Sequence, residues 1–457
     1  MKKKKYTITS KTIDLDDTYD VIVVGGGPSG CAAAISAARE GVKTLLIEAT
    51  GCLGGMGTSG LVPSWAPFWD QENIIYRGIA EEVLIKSKEN MAHVSKDELK
   101  WVPIDAEHLK RVYDTLVCES GAEILFHSFL CSVETGENGL VSEIIVSNKS
   151  GLTAYKAKVF IDCTGDGDLA AWAGAEFMLG DEESKELQPA SLCFVLTNVD
   201  DYAYQYGPRL HNSNLQSPIF EMMKSGEFPR IVDSHCCNQM VGPGAVCFNA
   251  GHLWKIDNTE PGSTSQSLIE GRKIAKEFQE ALAKYQPKAF GNSFLAATGS
   301  LMGIRETRRI VGEYVLTEED YLQRKGFYDE IGRNSYYIDI HHSEHESSLE
   351  TIEGFDWEKH RARYGAGESY GIPFRCLVPK GLKNVLIAGR NVSCDRAVQG
   401  SIRVMPACLV MGEGAGAAAS LMVKEKMVNT DLCGPNIKNL QKLLLDRGAY
   451  FRSNETL

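Results

Sequence analysis

The sequence has no uninterrupted run of about 18 apolar residues, so no membrane span is expected from it. It has no sustained lysine and arginine face either. The one basic run, Lys2 to Lys5, leads into polar residues, which fits a solvated tail and not a signal peptide. With a net charge of −12, a nucleic-acid partner would bind against overall repulsion, and a small molecule is the expected ligand. No Cys-x-x-Cys pair occurs. The 13 cysteines follow no ligand spacing, which predicts reduced thiols in a cytoplasmic protein and excludes a disulfide framework. Internal repeats and low-complexity tracts are lacking too, and nothing sets the number of subunits.

What is present is an ordinary globular composition, 43% hydrophobic and 24% charged over 457 residues, enough for two or three domains around a large core. Residues 19–24 form a short β-branched run that ends at glycines, the pattern of a strand buried on both faces. Small residues from Gly30 to Arg39 predict a helix that packs closely on a sheet, Gly41 ends it, and residues 43–48 predict a second strand. Asp105 is placed to cap a helix that Gly121 stops. Residues 122–126, 140–147 and 153–162 read as further strands. Between about 180 and 350, strand-like residues 191–196, a helix over 267–285 and polar loops predict an inserted α+β unit. From Asn384 the pattern returns to a buried strand, a glycine turn and a small-residue helix over about 406–423, and residues 436–446 predict a closing helix. The fold class is therefore α/β: a Rossmann-like domain from residues 1–180 and 351–457, and a substrate domain from 181–350.

The segment Gly25-Gly26-Gly27-Pro28-Ser29-Gly30 lies between strand and helix, where its glycines carry meaning. Gly25 permits the turn, Gly27 lets backbone approach a pyrophosphate, and Gly30 lets helix pack on strand. The helix N-terminus adds partial positive charge. Glu48, at the end of the second strand, can accept from ribose hydroxyls. A second glycine-rich loop over residues 50–60, with Gly55, Thr58 and Ser59, is superfluous for a nicotinamide site. It points to FAD. Only one such fingerprint exists, so a separate NAD(P)H domain is not expected.

Together with Asp162-Cys163-Thr164-Gly165-Asp166-Gly167 and the returning strand before Gly389, these segments resemble the glutathione-reductase-like flavoproteins. Within them the sequence is most similar to bacterial FAD-dependent oxidoreductases related to the flavoprotein subunits of succinate dehydrogenase and fumarate reductase. The resemblance implies that Glu48 holds the adenosine ribose, that Gly55 and Thr58 follow the flavin, and that Thr164 and Gly165 lie near the adenine, with Cys131 close by. It implies that Gly389 and Arg390 border the cofactor and that a helix starting near Pro406 and Ala407 directs its N-terminus at the flavin. Arg403, in Gly400-Ser401-Ile402-Arg403, matches an arginine that grips substrate carboxylate. Arg390 and Gln399 stand where the family has Glu and His.

Flavin chemistry also needs a charge anchor and an acid or base. Arg305, after Gly299 and Gly303, is the expected anchor beside Arg403, while Arg308 and Arg309 are expected to pair with Glu306 and Glu313. Residues 337–342 read as a strand that ends in histidines, and His341 is the expected acid or base. A metal site from His341, His342, Glu344 and His345 is the weaker reading of that cluster, and His235-Cys236-Cys237 is too isolated to predict one. Cys52 reads as a packed residue. The expected activity is hydride transfer between a small polar substrate, carboxylate- or hydroxyl-bearing, and flavin N5. O₂, a quinone or a partner protein can exchange the electrons. A flavoprotein using FAD without net redox chemistry and an NAD-binding regulatory module are the alternatives.

Overall fold

The computed structural model describes residues 10–89, 91–341 and 364–451. Its centre is a five-stranded sheet in the order Val385–Ile387, Val159–Asp162, Val21–Val24, Thr44–Ile47 and Glu123–Leu125, parallel at every pairing. Four of these strands are buried on both faces, as their unbroken β-branched and aliphatic runs require. One side of the sheet is covered by the helix Pro28–Arg39 and, beside it, the helix Met405–Glu425, both packed on the strands. The last strand and last long helix thus complete a layer begun by the first.

The two helices meet through small residues. A Cβ on Gly412 would stand 2.1 Å from Ser29 O, and one on Gly416 would stand 2.2 Å from Ala33 O, so only glycine allows this approach. By length and composition Met405–Glu425 is apolar enough to cross a membrane, with mean hydropathy 1.3, yet 89% of that stretch is buried within the protein. Glu413 interrupts its apolar run.

A second sheet, Asp14–Asp16, Gly151–Tyr155, Val141–Asn148 and Phe129–Thr135, lies over the other face and is antiparallel apart from its first pair. The expected single strand over 153–162 is in fact two. Lys156 and Lys158 both donate their backbone N–H to carbonyls of the N-terminal segment, Asp16 and Asp20, and the chain crosses between sheets there. A third, antiparallel sheet runs Cys236–Gly242, Ala245–Ala250, Phe194–Thr197 and Phe294–Thr298. The helix Pro261–Tyr285 packs on it through Phe278, which joins the stacked rings of Phe194 and Phe248. This core is its own, whereas Leu316, Tyr321, Phe327 and Ile331 belong to the core of the helix Met405–Glu425.

Candidate active site

The fingerprint loop has the form its glycines require. Gly25 has φ +98°, and a Cβ there would meet Cys163 O at 2.4 Å. A Cβ on Gly30 would lie 1.7 Å from Gly25 O, so Gly30 seats the helix against the loop and does not reach the cavity. Gly27 is different. Nothing lies within 4 Å of a Cβ built there, and the open space in front of it is the cradle a pyrophosphate would fill. Pro28 opens the helix, so no backbone donor is lost where none is needed.

Glu48 closes the cradle. One carboxylate oxygen accepts from Gly26 N at 2.6 Å and the other from Thr50 N at 2.7 Å, which ties the two glycine loops together and leaves lone pairs for ribose hydroxyls. Asp162 does similar work at the end of the strand Val159–Asp162. Its carboxylate accepts from Thr164 Oγ1 at 2.8 Å and Ala170 N at 2.9 Å, and burial pushes its pKa up to about 6. The Thr164 hydroxyl is therefore used internally, and the Thr164-Gly165 turn offers backbone.

From this cradle a cavity of about 1790 Å³ extends beneath the third sheet. Gly25, Gly27, Pro28, Ser29, Glu48, Gly55, Thr164, Gly165 and Arg390 line it, as do Arg305, Arg403 and His341. Six expected residues do not. Thr58 turns inward and donates to Leu53 O at 2.6 Å; Ser59 contacts Cys52 Sγ at 3.0 Å. Cys131 is exposed, and its neighbours Phe129 and Leu130 face the cavity instead. Gly389 backs onto Ser29, Gly30 supports the loop, and Ala407 is buried while Val404, Met405 and Cys408 line the wall. Arg390 donates to Asp166 Oδ1 at 2.8 Å and Thr307 Oγ1 at 2.9 Å; burial would raise the Asp166 pKa, but Arg390 beside it lowers it. Arg309 pairs with Glu306 as expected, whereas Arg308 pairs with Asp168 at 2.7 Å and not with Glu306 or Glu313.

The far wall is cationic and imidazole-rich. Arg305 is buried, donating to Pro189 O at 2.7 Å, Ser191 Oγ at 3.0 Å and His235 Nε2 at 3.1 Å. Burial, helped by Arg403, pushes its pKa down to about 10, still charged at neutral pH. Arg403 donates from one guanidinium nitrogen to Asp339 O at 2.7 Å, and its Nη1 is buried without a hydrogen-bond partner among the described residues. Residues 335–341 are irregular, not the expected strand, and carry His341 to within 2.8 Å of His252. Burial first, then Arg305, holds His341 well below the usual histidine range. His342, Glu344 and His345 lie outside the described residues.

His235, His252 and His341 bring three ring nitrogens within 4.8 Å of one another, a spacing an ion can use. The ring geometry suits hydrogen bonding better. His235 and His252 stack in parallel at 4.3 Å and 8°, so their in-plane lone pairs run side by side without converging, and Arg305 already occupies His235 Nε2. The sequence gives no local sign of His252 or Asp233, and of His235 it shows only an isolated cluster with Cys236 and Cys237.

A cavity that begins at a phosphate cradle and ends on buried arginines and imidazoles is what an enzyme with a nucleotide cofactor needs, and the parallel sheet sets it among dinucleotide-binding α/β proteins. Comparison with known proteins narrows that class. The chain belongs to the FAD dependent oxidoreductase family, whose family model matches residues 20–444. It is an oxidoreductase, and FAD is its cofactor.

Among curated proteins it is similar to the digeranylgeranylglycerophospholipid reductase of Picrophilus torridus, 27% identical over 180 residues, 36% of this chain and 44% of that one. A shorter match, 55% identical over 49 residues and 10% of each chain, is to dihydrolipoyl dehydrogenase of Trypanosoma brucei brucei. The chain thus spans less than half the length of these curated relatives. Among solved structures, a geranylgeranyl bacteriochlorophyll reductase-like protein of Thermoplasma acidophilum aligns over 95% of this chain and 84% of its own, at 15% identity and a TM-score of 0.46.

Proposed function

We propose that the enzyme oxidises a small substrate that carries both a carboxylate and a hydroxyl. The observation behind this reading is Arg403, a cavity-lining cation whose buried Nη1 has no acceptor among the described residues. Leaving such a donor unpaired costs on the order of 1–3 kcal/mol, and a substrate carboxylate would remove that cost. Arg305 adds a second buried cation to the same wall. Burial and Arg305 hold His341 below the usual histidine range, so it rests as the neutral imidazole a proton acceptor must be. When bound, FAD supplies the two-electron acceptor.

The chain's own residues supply the rest. The arginines orient the carboxylate, His341 removes the hydroxyl proton, and the irregular segment with Tyr336 and Tyr337 helps line the cavity beside it. The test is anaerobic mixing of FAD-loaded protein with 2-hydroxy acids and with the matching alcohols that lack the carboxylate. Bleaching of the flavin band by the acids alone is expected. Equal bleaching by uncharged alcohols would overturn the reading.

Three further placements belong to this proposal. Kinship with the glutathione-reductase-like flavoproteins, and among them with the succinate dehydrogenase and fumarate reductase flavoproteins, is supported by Arg403 reaching the cavity from the Gly400 to Arg403 segment. A reducing, cytoplasmic setting is supported by the free thiols of all the cysteines. A substrate domain within the span 181–350 is supported by a separate core that draws on Phe194 through Leu295.

A further inference from the structure

The wall around His341 holds more than one base requires. His252 stands between Asp233 and His341: its Nδ1 faces Asp233 Oδ1 at 3.4 Å, and its Nε2 lies 2.8 Å from His341 Nδ1. Asp233 is fixed by two backbone donors, His235 N at 2.7 Å and His252 N at 3.1 Å. Burial alone would raise its pKa, but His252 and those donors outweigh burial and lower it, so the carboxylate is ionised.

Hydrogen-bond bookkeeping then sets each proton. The Nδ1 to Asp233 contact is long and imperfectly aligned, yet a buried anion facing a neutral imidazole draws the ring proton to that nitrogen. With its proton on Nδ1, His252 has a bare Nε2 that only accepts, so His341 donates from Nδ1. His341 Nε2 is left bare. Asp339 Oδ2 is 3.7 Å from it, farther than Asp233 is from His252 and less buried, so it draws a resting ring proton less than Asp233 does while still favouring a proton that arrives there. His235, stacked on His252, takes no part, because its Nε2 is engaged by Arg305 at 3.1 Å and by Asn249 Oδ1 at 3.3 Å. Arg305 opposes charging of both rings, and His252 opposes it at His341; Asp233 favours it at His252 and Asp339 at both.

We propose that Asp233 and His252 are positioning residues that hold His341 in the tautomer with a bare Nε2, and that His252 takes up the charge when Nε2 gains a proton. The step balances. One proton passes from the substrate hydroxyl to His341 Nε2, the Nδ1 proton of His341 moves to His252 Nε2, and the resulting imidazolium faces Asp233. This rests on His341 acting as the base.

The tautomer test needs no substrate. Long-range proton–nitrogen correlation spectra of the full FAD-loaded chain, labelled with ¹⁵N-histidine, report which ring nitrogen carries hydrogen. Neutral His252 and His341, both protonated at Nδ1, are expected near pH 7.5. His252→Phe removes the acceptor and should move His341 to the Nε2–H form; His252→Gln offers an amide oxygen and should restore Nδ1–H. Should either variant fail to fold, the wild-type spectrum alone decides. An Nε2–H form of His341 in the wild type, or no change in His252→Phe, would overturn the relay. So would added Zn²⁺ at one equivalent shifting all three histidines to metal-bound positions. If the tautomers are as expected but His341→Gln leaves the rate and pH profile of flavin bleaching unchanged, the base reading fails while the tautomer assignment stands.

Discussion

At Glu48 both carboxylate oxygens bind backbone N–H groups before any ribose arrives, so the side chain builds the cradle as well as serving it. Glu48→Ala removes two charge-assisted bonds, each worth roughly 1.5–3 kcal/mol, and should weaken FAD retention by about tenfold or more. Flavin absorbance remaining after gel filtration measures this. Arg403→Ala should raise the half-saturating concentration of a carboxylate substrate about tenfold or more, with little effect on bound flavin. Steady-state bleaching rates against substrate concentration check it.

Glu413 gives a stability test with a defined sign. Burial pushes its pKa from 4.5 up to about 7, so across that window the native protein keeps a proton the unfolded chain has lost. Stability falls as pH rises through it, by up to about 3 kcal/mol at pH 8. Glu413→Gln keeps an acceptor for Ile79 N–H and should be the more stable protein at pH 8, with the gap closing by pH 5. Denaturant titrations at the two pH values decide.

Single residues were legible where the demand on them is local. A turn with φ +98° needs Gly25, and a carboxylate ending a strand needs nothing beyond its neighbours, which is why Gly25, Gly27 and Glu48 are readable from spacing. Thr58 and Ser59 were not, because where a hydroxyl points is decided by the packing around it. Asp233 and His252 meet His341 only through the folded chain.

At the scale of elements, the contact between Pro28–Arg39 and Met405–Glu425 is the tightest joint in the molecule's centre. Gly416→Val would drive its side chain into Ala33 O and should destabilise by about 1–3 kcal/mol or more, read from the shift in denaturant midpoint. Helices were legible by their small-residue or one-sided patterns, and Asp105 and Gly121 bound Ala106–Ser120 as expected. Strands were harder. No glycine, proline or asparagine marks the break within residues 153–162, where the chain leaves one sheet for another between Tyr155 and Val159. Residues 335–341 follow the cavity wall instead, in no regular element.

Across the whole molecule, the cofactor site draws on both ends of the chain: cradle and second strand from the first fifty residues, Arg390, Arg403 and Met405 from the last seventy. A chain of residues 1–180 should therefore hold no FAD, and flavin retained by it as firmly as by the full protein would refute the shared site. The α/β class and the return of the C-terminal strand were legible from sequence. The third sheet's order was not, because antiparallel pairing among 194–298 leaves no fixed spacing in the sequence.

The helix Met405–Glu425 also has a consequence during synthesis. Its docking partner, Pro28–Arg39, leaves the ribosome hundreds of residues earlier, and its close-packed glycine and alanine face has no cover until the late helix follows. The nascent chain must carry a bare seam through most of translation, and then release an apolar segment fit for a bilayer. Chains stalled before Met405 should be cut within Pro28–Arg39 by limited proteolysis and should recruit holding chaperones; chains stalled well past Glu425 should resist both.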